Sequence, residues 1–125
     1  MINFASILNQ AIKHNKNICT IPLTNINLEI LKVLYANGFI YSYTLDYKKM
    51  KVLVALNIIG DTNSMRQIKI ISKPSKPIYY TIKQLKNRIV KEGRFYILST
   101  SNGILSSESA LKLNSSGEVL FEIVK

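Results

Sequence analysis

The stretch GEVLFEIVK, residues 117–125, decides how the C-terminal half of this chain folds. Its last seven residues are apolar except for Glu122 and Lys125, so an extended chain would be apolar on both of its faces. That pattern predicts a closing strand. Further back along the chain, RFYIL at residues 94–98 predicts another strand, and residues 107–113 predict a short helix between the two.

The rest of the chain has the hydrophobic periodicities of helices and strands in alternation. In the N-terminal half, apolar residues recur at helical spacing from Phe4 to Ile12, and Thr24 provides cap chemistry for a helix that ends at Gly38. The other elements that we expect are strands at residues 18–21, 39–46, 51–59 and 66–72, the middle two as a hairpin, and a helix from about residue 82 to Gly93.

A boundary is expected at GDTNS, residues 60–64, because these residue types favour turns and compete with regular structure. The predicted division is into residues 1–64, an N-terminal αβαββ lobe, and residues 65–125, a strand-rich C-terminal lobe with short helices. The predicted fold class is therefore α+β with two small lobes.

The charge balance points to a polyanionic partner. The chain has 125 residues, 47% of them hydrophobic, and its 17 Lys and Arg against 7 Asp and Glu give a net charge of +10. Such a charge favours nucleic acid or an anionic membrane over a small neutral ligand. No stretch approaches the roughly 18 apolar residues of a spanning helix, and the start resembles neither a signal peptide nor a transit peptide. We therefore expect a globular protein with no membrane contact and no small-molecule substrate.

Side chains suited to catalysis are few. His14 is the one histidine and Cys19 the one cysteine, and they lie five residues apart across a predicted helix end. A metal site normally needs about three or four ligands, and a Cys and His pair needs a third group that orients it. The seven acidic residues have no paired spacing, and phosphate-binding glycine motifs are absent. We expect no catalysis, no metal and no cofactor; a basic RNA-processing enzyme is the alternative.

Residues 99–103, Ser-Thr-Ser-Asn-Gly, form the most informative segment, which we call the hydroxyl loop. Three consecutive short hydroxyl side chains, each a donor and an acceptor, suit a surface that approaches ribose 2′-hydroxyls and base edges in the shallow groove of A-form RNA. Gly103 would permit the turn. The alternative is an ordinary Ser/Thr turn whose hydroxyls bond to the local backbone.

Residues 72–80, Ser-Lys-Pro-Ser-Lys-Pro-Ile-Tyr-Tyr, form a second segment, which we call the basic loop. Its prolines predict an extended connection that holds Lys73 and Lys76 ready for phosphates, and Tyr79 would stack or form a hydrogen bond. The alternative is a connection with solvated lysines and a tyrosine packed on the core. On the following helix a solvated face is the better interpretation of the basic residues, which are Lys83, Lys86 and Arg88.

Taken together, these segments resemble the family of ribosomal protein eight of the small subunit, over nearly the whole chain. The family pairs a Ser-Thr-Ser-x-Gly loop with a Gly-Glu before an apolar final strand, and these stand here at residues 99–103 and 117–118. Its Ser-basic-Pro-Gly loop ending in Tyr resembles residues 72–79, and its start resembles residues 3–14.

The resemblance implies a two-lobed α+β protein that binds the central domain of small-subunit ribosomal RNA, helps to organise its folding and lies beside other small-subunit ribosomal proteins. It also implies RNA contacts at the end of the first helix. The loops and the resemblance together assign RNA contacts to Asn3, Lys13, His14, Lys16, Ser72, Lys73, Pro74, Ser75, Lys76, Tyr79, Ser99, Thr100, Ser101, Asn102, Gly103 and Glu118. A free-standing RNA-binding regulator outside the ribosome is the alternative.

The sequence departs from the family at several positions, and its composition indicates an origin. The departures are Asn3 for an Asp, Ser75 for a Gly, Pro77 for a basic residue, Asn102 for a Lys, Leu111 for an Arg and Ser116 for a Gly. Ile, Asn and Lys are abundant, as expected of an AT-rich genome. We therefore expect the protein to lie in a mitochondrial ribosome, in the mitochondrial matrix. A plastid ribosome and the cytoplasm of an AT-rich bacterium are the alternative locations.

Overall fold

A computed structural model describes residues 2–59, 62–73 and 75–125. The elements in chain order are α1 (Ile2–Lys13), β1 (Ile18–Pro22), α2 (Asn25–Ala36), β2 (Ile40–Asp46), β3 (Lys51–Leu56), β4 (Ile58–Ile59), β5 (Thr62–Asn63), β6 (Gln67–Ile70), α3 (Ile82–Glu92), β7 (Phe95–Thr100), β8 (Gly103–Ser106), α4 (Ser107–Lys112) and β9 (Gly117–Val124). The predicted α+β fold class is confirmed. Within these residues, no helix has the length and apolar character that crossing a membrane requires.

The chain divides into two compact units, one made of residues 1–67 with Lys125 and one made of residues 68–124. Gly60 and Asp61, in the predicted boundary segment, lie outside the described residues. On either side of them β4 and β5 pair as short antiparallel strands, where we expected only a turn after a longer strand. The β-branched Ile58 before the boundary favours this extended pairing.

The first unit contains a three-stranded antiparallel sheet in the order β1-β3-β2. The predicted hairpin of β2 and β3 is confirmed, with Asp46 opposite Lys51. β3 ends before Asn57, earlier than predicted. The side-chain amide of Asn57 donates a hydrogen bond to the carbonyl oxygen of Gly38 at 2.7 Å, which is the kind of competing contact that interrupts a strand.

The predicted cap of α2 is confirmed, and the helix ends at Ala36, two residues before the predicted Gly38. The Thr24 hydroxyl accepts a hydrogen bond from the Asn27 N–H at 3.1 Å and caps α2, and Gly38 follows that helix with a φ of 76°. Apolar side chains from α1, α2 and the sheet are buried in this unit, among them Phe4, Leu8, Ala11, Ile21, Ile30, Leu31, Leu34, Val52 and Val54.

The second unit contains a four-stranded sheet in the order β6-β9-β7-β8. The prediction for β9 is confirmed, since residues 119–123 are all buried, and the Glu122 carboxylate lies 3.4 Å from Nη1 of Arg94. One core cluster joins α3, α4 and the sheet, and its buried members are Leu85, Tyr96, Leu98, Ala110 and Val119. The four-residue β8 was not predicted, because its two apolar residues are too few to establish a period.

Candidate nucleic-acid interface

The hydroxyl loop is the tip of the hairpin formed by β7 and β8, where Thr100 is opposite Gly103. The Thr100 hydroxyl donates a hydrogen bond to the Gly103 carbonyl oxygen at 2.9 Å and accepts one from the Asn102 N–H at 3.1 Å. Gly103 has a φ of 99°, which residues with a side chain avoid. Thr100 therefore makes the local hydrogen bonds of an ordinary Ser/Thr turn.

The two serines of the hydroxyl loop differ from Thr100. Ser99 and Ser101 are exposed, and neither hydroxyl has a hydrogen-bond partner in the part of the chain that the structure describes. A free hydroxyl on each side of a fixed one leaves donors and acceptors available to an incoming surface. The interpretation as an ordinary turn therefore fits Thr100, and RNA contact through Ser99 and Ser101 stays a prediction.

Gly117 determines how closely β9 approaches the hydroxyl loop. In the ladder between β7 and β9, Thr100 is opposite Gly117 and Ser99 is opposite Glu118. A Cβ atom at Gly117 would overlap the carbonyl oxygen of Ser99 and lie 3.0 Å from Cα of Thr100. Only glycine lets two backbones come this close. Gly117 was not among the residues predicted to bind, although a glycine at the start of an apolar strand is a signal of such an approach.

The first half of the basic loop is a tight turn rather than the extended connection that its prolines predicted. The Lys73 N–H donates to the Lys76 carbonyl oxygen at 3.2 Å, and the Lys76 N–H donates to the Lys73 carbonyl oxygen at 2.9 Å. Pro-Ser is a favourable pair for the corners of a β-turn, which explains the difference. The side chains of Lys73, Ser75 and Lys76 are exposed, and Pro74 lies outside the described residues.

Ser72 is used inside the protein. Its hydroxyl donates a hydrogen bond to the carbonyl oxygen of Val119 at 2.6 Å and accepts one from the Ile78 N–H at 2.9 Å. Because a hydroxyl has a single hydrogen, Ser72 has no second donor for a ligand. Ser72 therefore ties the two ends of the basic loop to β9.

The start of β9 brings the two loops together. Glu118 is paired through its backbone with Ser99 of the hydroxyl loop and with Tyr79 of the basic loop. The Tyr79 side chain is 65% exposed. Tyr80, in contrast, packs edge-on against Tyr96, with 5.7 Å between the ring centroids. One tyrosine is thus available to a ligand, and its neighbour anchors the loop on the core.

The end of α1 carries exposed basic side chains in the first unit. Lys13, His14 and Lys16 are all exposed there. The helix ends because Asn15 adopts a left-handed φ of 54°, and the Lys16 N–H donates to the carbonyl oxygen of Ala11 at 2.9 Å. Asn3 lies in α1 as well, but its side chain is outside the described part of the structure.

A family model of ribosomal protein S8 matches residues 2–124. The chain belongs to the ribosomal protein S8 family. The resemblance that the two loops and the Gly-Glu motif predicted is thereby confirmed at the level of the family.

Curated members of the S8 family resemble the chain over most of its length. The small ribosomal subunit protein uS8 of Azobacteroides pseudotrichonymphae is 31% identical over 122 residues, 94% of this chain and 92% of that protein. The uS8 of Mycoplasmopsis pulmonis is 31% identical over 115 residues, 90% of this chain and 86% of that protein. The uS8m of Acanthamoeba castellanii is 31% identical over 115 residues, 91% of this chain and 84% of that protein.

Cys19 was considered in the sequence as a possible metal ligand or nucleophile of this S8 family member. Among the residues that the structure describes, no group of three or more His, Cys, Asp or Glu side chains is placed to hold a metal ion. The Cys19 side chain is half-buried, and burial raises the pKa of its thiol to about 11. A thiol with so high a pKa is protonated at neutral pH and is a poor nucleophile.

Proposed function

We propose that this chain is a structural constituent of the small ribosomal subunit that binds the central domain of small-subunit ribosomal RNA and helps to organise its folding. Its membership of the S8 family supports the ribosomal part of the proposal. The single observation that carries the RNA-binding part is that the hydroxyl loop and the basic loop meet at Glu118, at the start of β9. Neighbouring small-subunit proteins would be its further partners.

The two loops contribute different kinds of contact. The free hydroxyls of Ser99 and Ser101 would reach ribose and base edges, where RNA shape is recognised. Lys73 and Lys76 would meet phosphates, which fix position and orientation but not sequence. The exposed ring of Tyr79 would stack on an unpaired base.

Other residues of these loops position the contacts from within. Two of them form hydrogen bonds that fix the loop backbone, and two are glycines whose backbone arrangement a Cβ atom would hinder. These positioning residues are Ser72, Thr100, Gly103 and Gly117.

The end of α1 provides a second contact surface in our proposal. Lys13 lies in the last turn of the helix, where a cation complements the negative end of the helix dipole, and His14 and Lys16 follow it. If the protein neutralises about six phosphates in all, its affinity for RNA should fall roughly a thousandfold over a fourfold rise in salt.

We further propose that the protein acts in an organelle, in the mitochondrial matrix. The abundance of Ile, Asn and Lys and the uS8m relative from Acanthamoeba castellanii support this location. The uS8 relatives from bacteria support the cytoplasm of an AT-rich bacterium instead, and a plastid ribosome is the third location. No catalytic role is part of the proposal.

Sedimentation of small subunits in rising salt tests the ribosomal part of the proposal. A structural constituent should remain in the small-subunit peak at salt concentrations that remove loosely bound proteins. A free-standing RNA-binding regulator should be released, and that result would overturn the proposal. Incubation of RNA with the protein, with and without divalent metal, should produce no cleavage; turnover would favour an RNA-processing enzyme.

Equilibrium binding to RNA transcripts tests the RNA-binding part. The purified chain should bind a transcript of the central domain of its own small-subunit RNA more tightly than an equally long transcript of another domain. Equal affinities at every salt concentration would mean that charge alone attracts the protein to RNA, and would contradict the assignment of a specific site.

A further inference from the structure

Helix α3 presents a basic surface that neither loop uses. Its exposed side chains line a shallow groove along the helix, which we call the lysine face; the residues are Lys83, Gln84, Lys86, Asn87, Val90 and Lys91. The opposite side of α3 contributes Leu85 to the core, with Ile89 packed against the same cluster. The lysine face therefore has no part in holding the helix on the sheet.

Two other helices of the protein, α2 and α4, mix the signs of their charges. In α2, Glu29 lies three residues before Lys32, and in α4, Glu108 lies four residues before Lys112. Acidic and basic residues at these spacings are neighbours on the helix surface and stabilise it. Such an arrangement is what a merely solvated helix face would be expected to have.

The lysine face lacks such compensation. Lys83 and Lys86 are like charges at neighbouring positions, and Lys83 lies in the first turn of α3, which contains no acidic residue and has the positive end of the helix dipole. Both features are unfavourable for the helix on its own.

The acidic residue of α3 does not neutralise this surface. Oε2 of Glu92 lies 2.8 Å from Nε of Arg94, outside the groove. In the described part of the chain, no carboxylate forms an ion pair with Lys83, Lys86 or Lys91. Three cations without an ion-pair partner in the described residues therefore lie along roughly 12 Å of helix, and the helix dipole favours the charge of Lys91 alone among them, in the last turn.

We propose that the lysine face is an additional site for the phosphate backbone of RNA, separate from the hydroxyl loop and the basic loop. The inference rests on the proposed function, since it takes the partner of the protein to be ribosomal RNA. The three ammonium groups would meet phosphates. The Asn87 amide and the NH2 group of Gln84, whose Oε1 accepts a hydrogen bond from the Thr81 N–H at 3.0 Å, would donate to phosphate or ribose oxygens between them. The exposed Val90 side chain, which is 70% accessible, would pack against a sugar.

The chemistry of the groove favours RNA over an acidic protein surface. Amide side chains lie beside the lysines, and the Asn87 amide could accept from a ribose hydroxyl as well as donate to a phosphate. RNA offers both kinds of group, whereas a protein carboxylate offers acceptors only. An acidic protein partner is therefore an outcome that the experiment must distinguish.

The test compares two variants that lose the same charge. In the first, Lys83, Lys86 and Lys91 are replaced together by Gln, which keeps a similar helix propensity. In the control, Gln replaces three exposed lysines near the turn between β2 and β3, namely Lys48, Lys49 and Lys51. Binding to the small-subunit RNA transcript is measured from low to high salt, together with the thermal unfolding of each protein.

The lysine-face variant should reduce the steepness of log affinity against log salt by about 2 to 3, with a melting temperature that is unchanged or slightly raised because the unfavourable charges are removed. The control should reduce it by less than about 1, because its lysines would contribute only long-range attraction. Equal reductions in the two variants, or no reduction in the first, would overturn the inference. The lysine face would then be exposed to solvent or bind an acidic protein. If the unmodified protein fails to prefer its own RNA, it is the proposed function that fails.

Discussion

The hydroxyl loop and the lysine face lie in the same unit and differ in how their polar groups are held. In the hydroxyl loop, short side chains stand on a backbone fixed by the bonds of Thr100 and by the close approach of Gly117. In the lysine face, the charges stand at the ends of flexible four-carbon chains on a helix. Short side chains on a fixed backbone lose little conformational entropy on binding, but they tolerate little displacement of the ligand. Flexible lysine side chains tolerate more displacement. In our proposal, this difference separates recognition of RNA shape from attraction to RNA.

The largest expected effect comes from Gly117→Ala, which would disrupt the backbone that holds the hydroxyl loop. The new Cβ atom would overlap the Ser99 carbonyl oxygen, so β7 and β9 would have to move apart. We expect the free energy of unfolding to fall by roughly 3 kcal/mol and RNA binding to weaken with it. Denaturant unfolding and equilibrium RNA binding measure the two effects.

Gly93→Ala is the matched control for that substitution. Gly93 ends α3 with a φ of 65°, but a Cβ atom there would meet nothing within 4 Å. Its cost should therefore be only the backbone strain of about 1–2 kcal/mol, with RNA binding unchanged. Equal effects of the two substitutions would contradict the close approach at Gly117.

A double substitution of Ser99 and Ser101 by Ala tests the hydroxyls themselves. Each of the two hydrogen bonds lost to RNA should cost about 0.5–1.5 kcal/mol, so the affinity should fall by about fivefold to 150-fold. The melting temperature should not change, because neither hydroxyl has a partner within the described residues. Binding and thermal unfolding are measured on the same preparations.

Thr100→Val should lower the stability of the fold, which the double serine variant should leave unchanged. It removes a hydroxyl that bonds to the Gly103 carbonyl oxygen and to the Asn102 N–H, so the free energy of unfolding should fall by about 1 kcal/mol. A loss of stability in the double serine variant, with binding intact, would instead favour the ordinary Ser/Thr turn throughout the loop.

Replacing Lys73 and Lys76 by Gln should have a smaller and less selective effect. Both side chains are exposed beside a turn that their backbones close, so the fold should be retained. The steepness of log affinity against log salt should decrease by about 1.5, equally for the central-domain RNA and for an unrelated RNA. A change confined to the central-domain RNA would mean that these lysines recognise a particular site.

The smallest effect on RNA binding, with none expected at neutral pH, concerns Cys19, in the unit that contains neither loop. Burial raises the pKa of its thiol to about 11, so the folded state holds the proton that the unfolded chain releases near pH 9. This contribution to stability should be complete below about pH 9 and disappear as the pH rises to about 11. Denaturant unfolding at several pH values should give a shallower decline for Cys19→Ala; identical declines would contradict the raised pKa.

Much of the fold follows from local sequence. The cap at Thr24, the glycine at Gly93 and the apolar periods of the long helices fix where those helices begin or end. β8 was missed because four residues carry too little pattern. The early end of β3 depends on a hydrogen bond from Asn57 to Gly38, nineteen residues away, which no local pattern contains.

The two loops of the candidate interface could be recognised in the sequence, but the contacts within them could not. Both loops are recognisable because their composition is unusual and they match the family pattern. The distinction between Thr100 and its neighbouring serines depends on the pairing of Thr100 with Gly103 across the hairpin. The importance of Gly117 depends on a contact with Ser99 between separate strands. Such contacts between distant residues arise only when the sheet is assembled.

The most direct test of this account is the ratio of affinities for the central-domain transcript and for an unrelated structured RNA. The ratio is measured at one salt concentration for three proteins: the unmodified chain, the variant with Ala at positions 99 and 101, and the variant with Gln at positions 83, 86 and 91. We predict that the alanine variant loses much of the ratio, while the glutamine variant binds both RNAs more weakly and keeps it. A ratio that survives loss of the hydroxyls and falls with loss of the lysines would contradict the account.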